Sequence, residues 1–168
     1  MAGTVHPITR YGDTALHSVC APVTAFDEDL AQLIEDMFAS MYAANGVGLA
    51  ANQIGIGRRV FVFDCGEGDQ RVVGHVVNPT ITLPKGRRHV DVDTEGCLSV
   101  PGPYADLARM DEATVSGFDR IGRPMTLTGK GLLARCFQHE VDHLDGIVYV
   151  DKLSPRKRRS VLAEAGLT

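Results

Sequence analysis

The chain has 168 residues, of which 44% are hydrophobic and 23% charged, with a formal net charge of −4. This composition is typical of one globular domain spanning residues 1–168, and it excludes disordered, collagen-like and coiled-coil proteins. The acidic balance also argues against a sequence-specific nucleic-acid-binding protein, whose surface is usually basic.

The first predicted element is a helix that begins after Asp27. Apolar residues recur at three- and four-residue spacing between Leu30 and Tyr42, which gives the helix one apolar face. Asp27 is a suitable N-cap, and Asn45-Gly46 is a suitable stop. We expect this helix to pack its apolar face against the core.

A glycine-rich segment, residues 46–55, follows the helix. It has the small residues of a phosphate-binding loop but lacks the Lys-Ser/Thr ending and the preceding strand that such a loop requires. Six stretches after it are rich in β-branched or aromatic residues and are predicted strands: 59–64, 72–78, 80–83, 89–92, 113–118 and 125–128. Short connections between them favour antiparallel pairing.

The last third of the chain predicts a second helix over 130–144, a strand over 147–150 and a short basic tail over 154–168 that begins a helix after Pro155. The fold class that follows is α+β in a single domain, with helices set against antiparallel β-sheets.

Two negative features bear on location and redox state. No apolar run approaches the ~18 residues of a membrane-spanning helix, and residues 1–7 lack the basic and apolar regions of a secretory signal. We therefore expect a cytoplasmic protein without membrane contact. Four widely spaced cysteines do not form a disulfide scaffold, so each is expected to be a buried thiol unless it is a ligand or a nucleophile: Cys20, Cys65, Cys97 and Cys136.

The strongest chemical signal is the segment His139-Glu140-Val141-Asp142-His143 on the second helix. Residues four apart lie on one helical face, so His139 and His143 can bind the same metal ion. Glu140 lies ~100° around the helix, where it can reach a metal-bound water without being a ligand. The alternative is a pair of exposed histidines on a charged face, but the apolar residues at 137, 141 and 144 indicate a buried helix.

Two histidines leave a catalytic site one protein ligand short, and the sequence offers two candidates. Glu164 lies 21 residues after His143, as in zinc peptidases with a glutamate ligand, but it is close to the end of the chain. Cys97 follows Gly96 at the end of an apparent strand and would supply a soft thiolate. The placement of Cys97 favours it as the third ligand.

Three segments together carry a family resemblance: residues 46–53 (GVGLAANQ), 95–99 (EGCLS) and 138–143 (QHEVDH). They resemble the three signature motifs of the bacterial peptide deformylases, in the same order and at the family spacing, and the likeness extends from about residue 5 to about residue 155. The resemblance implies antiparallel β-sheets packed around a central metal-binding helix. It also implies a hydrolase that removes the N-formyl group from formyl-methionyl nascent polypeptides and releases formate.

The same resemblance implies a metal and its ligands. Cys97, His139 and His143 would hold one divalent ion, which in this family is Fe(2+) in the cell and often Zn(2+), Ni(2+) or Co(2+) in preparations. Glu140 would be the general base for attack by a metal-activated hydroxide, and the side-chain amide of Gln53 and the backbone N–H of Leu98 would stabilise the oxyanion.

Substrate contacts are implied in the same way. The backbone around Gly46 and Gly48 would lie beside the extended peptide, and Val47, Leu133 and Cys136 would line an apolar pocket for the methionine side chain.

Three further interpretations stay open at this point. The basic run 156–159 is interpreted as a solvated helix end, with a weak ribosome contact as the alternative. The first rival function is a zinc peptidase with Glu164 as third ligand. The second is a catalytically silent binding module that a metal merely stabilises.

Overall fold

The structure is a computed structural model that describes residues 2–167. Three helices and seven strands form its framework, in the chain order α1, β1 to β7, α2, α3. The helices are α1 (Glu28–Ala43), α2 (Leu132–Leu144) and α3 (Pro155–Glu164). The strands are β1 (Gly48–Ala50), β2 (Val60–Cys65), β3 (Val72–Thr82), β4 (Val90–Cys97), β5 (Val100–Met110), β6 (Glu112–Phe118) and β7 (Pro124–Lys130).

The strands form two antiparallel sheets. Five strands pair in the order β1-β2-β3-β6-β7, and β4 pairs with β5 in a separate hairpin. In the larger sheet Phe61 lies opposite Val76, so both apolar side chains point to the same face. The expected α+β class with antiparallel sheets is confirmed.

Helix α1 forms where its apolar spacing predicts it. The Asp27 carboxylate accepts a hydrogen bond from the backbone N–H of Leu30 at 3.0 Å and so caps the helix. Leu30, Ile34 and Met37 are fully buried on the face that packs against β2. The helix ends at Ala43, two residues before Asn45 adopts a left-handed conformation.

Helix α2 lies in the centre of the molecule, with the strands of both sheets around it. The ring of Phe137 packs against Phe61 and Phe63 at centroid distances of 6.0 and 5.3 Å. The helix begins two residues later than expected because Lys130 still pairs with Glu112 in the sheet. Polar side chains on α2 are therefore enclosed by core, which explains how this helix can hold a buried site.

Two of the strands predicted from the sequence form one continuous strand in the structure. Residues 72–78 and 80–83 fall in the single strand β3, which continues through Asn78-Pro79 with a shift of register between Val77 and Thr80. Asn78 adopts a positive φ of 52° there, and its side chain donates to the carbonyl of Val23 and accepts from the N–H of the same residue. The Asn-Pro pair is thus a bulge within a strand rather than a turn between two strands.

The predicted strand over 147–150 is wrong. Tyr149–Lys152 is a 3₁₀ turn, held by the N–H of Val148, which donates to the Asp151 carboxylate at 2.9 Å. Val148, Tyr149 and Val150 are all buried, so this apolar run lacks the alternation of a half-exposed strand and fills a cluster with Leu16 and α3 instead.

Strands β1 and β5 were not predicted. The three residues of β1 lie within the glycine-rich segment. The beginning of β5 contains Pro101, Gly102 and Pro103, which are not typical of a strand. Within residues 2–167 the structure has no helix of the length and apolarity that crossing a membrane requires.

Candidate metal centre

Two elements bring together three side chains that could hold a metal ion. Cys97 is the last residue of β4, and His139 and His143 lie one turn apart on α2. The Cys97 sulfur is 3.3 Å from Nε2 of His143, and the two Nε2 atoms are 3.1 Å apart. All three donor atoms lie within 4.8 Å of one another, and no other such group of His, Cys, Asp or Glu occurs within residues 2–167.

The donor set fits a divalent transition metal. A tetrahedral ion with ~2.3 Å bonds to sulfur and ~2.0–2.1 Å bonds to nitrogen requires donors ~3.3–3.6 Å apart. The separations from His143 to Cys97 and to His139 are close to these values. One thiolate and two imidazoles suit iron, zinc, nickel or cobalt rather than magnesium or calcium.

A buried carboxylate orients one of the imidazoles. Glu95 Oε2 lies 2.7 Å from Nδ1 of His139. Because an ionised carboxylate only accepts hydrogen bonds, the proton of His139 is on Nδ1, and the lone pair of Nε2 faces Cys97 and His143.

The charge of Glu95 is balanced by two buried arginines. Arg109 donates to both Glu95 oxygens at 3.0 and 2.7 Å, and Arg135 donates to Oε1 at 3.1 Å. Arg109 also donates to Asp142 at 2.6 Å. Burial by itself raises the pKa of Glu95, but the hydrogen bonds with His139 and Arg109 outweigh it and hold that pKa below its usual range.

Glu140 lies beside the donor set, in the same cavity. It is 3% exposed, and its Oε1 atom has no hydrogen-bond partner among residues 2–167. Burial raises the pKa of Glu140 to about 7, so that its carboxyl group can accept and return a proton near neutral pH. A Cβ atom at Gly48 would lie 2.5 Å from Glu140 Oε2, so any larger residue there would displace this carboxyl.

The side chain of Gln53 is fixed with its amide nitrogen toward the donor set. Its Oε1 accepts from the N–H of Ala50 at 3.0 Å. Its Nε2 donates to Ser99 Oγ at 3.1 Å and approaches the Cys97 sulfur at 3.6 Å. Leu98 lies at the turn between β4 and β5 and lines the same cavity.

The cavity at the site has a volume of about 480 Å³. Gly46, Val47 and Gly48 form one wall, and Cys136 contributes to the apolar part. Leu132 lines the cavity together with Cys136, whereas the expected Leu133 does not.

Helix phase explains the difference between the two leucines. Positions 132, 136, 139 and 143 share the face of α2 that carries the histidines, whereas Leu133 packs into the core beside Gly129. The spacing from His139 back to Leu132 is a signal that was available in the sequence.

Other features of the site could not be found from the sequence. Arg109 lies on β5, and that strand was not predicted. Glu164, the rival third ligand, is the exposed last residue of α3 and does not join the donor set.

An antiparallel α+β fold that encloses a Cys-His-His donor set beside a buried glutamate defines a metal-dependent hydrolase. The family model of the polypeptide deformylases matches residues 5–159. The chain therefore belongs to the polypeptide deformylase family. The expectation of a peptide deformylase, a hydrolase that removes the formyl group from formyl-methionyl peptides, is thereby confirmed.

Individual relatives agree with this assignment. Peptide deformylase 2 of Streptomyces coelicolor is 52% identical over 163 residues, which are 96% of this chain and 90% of that protein. A peptide deformylase structure from Legionella pneumophila is 44% identical and has a TM-score of 0.88, with 97% of this chain and 94% of that chain covered. The Synechococcus elongatus peptide deformylase, solved in complex with actinonin, is 37% identical with a TM-score of 0.88, and the match covers 99% and 92% of the two chains.

Proposed function

We propose that Cys97, His139 and His143 hold the catalytic metal of this deformylase and that Glu140 moves the proton of the reaction. The observation that carries the proposal is the convergence of one sulfur and two Nε2 atoms within 4.8 Å, beside a buried glutamate. A metal bound there supplies Lewis acidity, which lowers the pKa of a coordinated water from ~15.7 toward ~7.

Glu140 is suited to both proton transfers. A formyl amide is a poor electrophile, so its hydrolysis needs a strong nucleophile and a protonated leaving amine. The Glu140 carboxylate takes a proton from the attacking water and then gives it to the departing nitrogen. Its pKa of about 7 matches both roles near neutral pH.

Gln53 and Leu98 stabilise the developing negative charge on the formyl oxygen. Gln53 is pre-oriented by Ala50, so its amide nitrogen needs no rearrangement during the reaction. The backbone N–H of Leu98 is the second donor in the proposal, at the turn that also carries Cys97.

The peptide is proposed to bind as an added strand along β1. That strand pairs only with β2 among the described strands, so its other edge is open to the cavity. Gly46 and Gly48 leave room for a close main-chain approach, and the methionine side chain packs against Val47, Leu132 and Cys136.

We further propose that the native metal is Fe(2+). The thiolate-imidazole donor set suits Fe(2+) as well as Zn(2+), Ni(2+) and Co(2+), and metal analysis of anaerobically purified enzyme tests the assignment. The decisive assay measures formate released from a formyl-Met peptide under anaerobic conditions with each metal in turn. Glu140→Gln should abolish turnover and retain the metal, whereas Glu67→Gln on an exposed turn should keep both.

The rival peptidase is tested by metal content. Cys97→Ser should release the metal from a deformylase, and truncation after Leu153 should not. A peptidase with Glu164 as ligand should give the opposite pattern. A silent binding module would release no formate even as the wild-type protein.

The basic run on α3 is proposed to contact the ribosome, which would place the enzyme in the cytoplasm where nascent chains emerge. Arg156, Lys157 and Arg159 are exposed, and none of them makes an ion pair with another residue of 2–167. Neutralising all four residues of the run 156–159 together should weaken ribosome binding and reduce its salt dependence. Unchanged binding would leave the run as a solvated helix end.

A further inference from the structure

The N-terminal segment, residues 2–13, crosses two parts of the site. It contains neither helix nor strand, yet its main chain is bonded to both parts. The N–H of Thr9 donates to the carbonyl of Gln53 at 2.8 Å, and the N–H of Tyr11 donates to the carbonyl of Ser99 at 3.0 Å. Gln53 and Ser99 are 46 positions apart in the chain, so this segment joins two loops that are not neighbours in sequence.

The spacing of the two donors couples the positions of the two loops. Thr9 and Tyr11 are two residues apart, and two residues span at most about 7 Å. On the inner side the Gln53 amide nitrogen donates to Ser99 Oγ at 3.1 Å. Gln53 and Ser99 are buried, which protects these bonds from water. A change in the separation of the loops would therefore break at least one bond.

Side chains anchor the same segment at both ends. The Thr9 hydroxyl donates to the carbonyl of Asn52 at 3.1 Å. The Tyr11 hydroxyl donates to the Asp151 carboxylate at 2.7 Å, and that carboxylate also accepts from the N–H of Val148 at 2.9 Å. Burial and the bond to Asp151 raise the pKa of Tyr11 to about 12, so the hydroxyl remains a donor at neutral pH.

The two loops carry the proposed oxyanion donors. Gln53 supplies its side-chain amide, and Leu98, which precedes Ser99, supplies its backbone N–H. Neither Thr9 nor Tyr11 lines the active-site cavity, so both can act on the reaction only through the residues that they hold. Donors of this kind stabilise an oxyanion only at the correct positions, and an error of about 1 Å can reduce the rate by ~10²-fold.

We propose that the segment Thr9–Tyr11 is a positioning element of the deformylase reaction, which holds the Gln53 amide and the Leu98 N–H at the separation that the oxyanion requires. The proposal rests on the proposed function of these two donors. It gives the N-terminal segment a part in catalysis without contact with the substrate.

A change of segment length is the first test. A glycine inserted between Arg10 and Tyr11 lengthens the connection by about 3.3 Å, so the two N–H groups no longer match the two carbonyls. We expect kcat for formyl-Met-Ala-Ser to fall by ~10²-fold, with KM and metal content at the wild-type level. A glycine inserted after Gly68, on an exposed turn, is the matched control and should keep wild-type kcat.

The same insertion in the Gln53→Ala variant separates positioning from general destabilisation. One of the two donors is then absent, so the insertion should lower kcat by less than about tenfold. Independent effects multiply, and a merely structural role would give the same ~10²-fold loss in both backgrounds.

Two side-chain changes test the anchors. Thr9→Val removes the hydroxyl that donates to Asn52 and should lower kcat by about twofold to fivefold, whereas Thr9→Ser should keep it. Tyr11→Phe should have an effect of similar size. Tyr42→Phe, which removes a hydroxyl–carboxylate bond of the same 2.7 Å length, should lower stability but not kcat.

Wild-type kcat in the Arg10–Tyr11 insertion variant, or equal losses with and without Gln53, would overturn the proposal. Wild-type kcat in Gln53→Ala alone would instead count against the proposed oxyanion donors.

Discussion

Glu95 Oε2 lies 2.7 Å from Nδ1 of His139 and thereby fixes the orientation of one of the three proposed metal ligands. The same carboxylate accepts hydrogen bonds from Arg109 and Arg135, so a single buried group joins the metal centre to the hairpin. Replacing it should therefore affect both metal affinity and stability.

Glu95→Ala should lower metal affinity by ~10- to 100-fold, because His139 loses the partner that orients it. It should also lower the free energy of unfolding by about 3–5 kcal/mol, because two arginines are left buried without their carboxylate. Chelator competition and urea unfolding measure the two effects. Asp91→Asn is the control, since its half-exposed carboxylate reaches only Arg135 at 3.4 Å. A Glu95 variant with wild-type metal affinity would contradict the orienting role.

Gly48→Ala should reduce activity with little loss of metal. The added Cβ would lie 2.5 Å from Glu140 Oε2 and 2.9 Å from the Cys136 sulfur, so the carboxyl must move. A displacement of this kind can lower kcat/KM by ~10²-fold. Gly57→Ala, where no atom lies within 4 Å of the new Cβ, should be silent. Equal rates in the two variants would show that the position of Glu140 is not critical.

Gln53→Ala should lower kcat by ~10²–10³-fold while the metal content stays at the wild-type level. The reason is the loss of a side-chain donor that the Ala50 N–H holds in place. Steady-state kinetics and metal analysis of the same preparation provide the measurement. Gln70→Ala on an exposed turn is the control. A change confined to KM would argue for a binding role only.

The stability of the enzyme should fall at acid pH through Asp64. Hydrogen bonds from Arg71 and Tyr42 lower the pKa of Asp64 to about 2, below its unfolded value of ~3.9. A depressed folded-state pKa stabilises the protein above pH ~4, and this contribution disappears as the pH falls toward 2.

Asp64→Asn should therefore be less stable than wild type by about 0.5–1 kcal/mol at pH 7, since Arg71 is half exposed, and the gap should narrow toward pH 2. Urea unfolding at several pH values measures it. Asp69→Asn, on an exposed turn, serves as the comparison, and a gap independent of pH would refute the linkage.

The sequence predicted the elements that carry a periodic pattern or a motif of fixed spacing. The apolar periodicity of α1 and the His-Glu-x-x-His segment of α2 depend on local helix geometry, which the structure retains. Strand β5 was missed because Pro101 and Pro103 at its beginning are typical of a turn. Arg109, which lies on β5, was missed for the same reason. The segment 147–150 was assigned wrongly because a continuous apolar run occurs both in a buried strand and in a buried turn.

One cavity residue was missed although its helical spacing is present in the sequence. Leu132, rather than Leu133, faces the cavity because it shares the helical face of His139. A shallow groove beside Tyr104 joins residues of the β4–β5 hairpin and of α3 that lie about 50 positions apart, such as Asp106 and Lys157. Such a juxtaposition follows from the packing of two elements and leaves no pattern in the chain itself.

X-ray absorption at the metal edge of the anaerobically purified enzyme would examine the proposed coordination directly. One sulfur and two imidazole nitrogens should appear around the ion, and Cys97→Ser should remove the sulfur contribution. A spectrum with only nitrogen and oxygen neighbours in the wild-type protein would contradict the coordination from which the mechanism is derived.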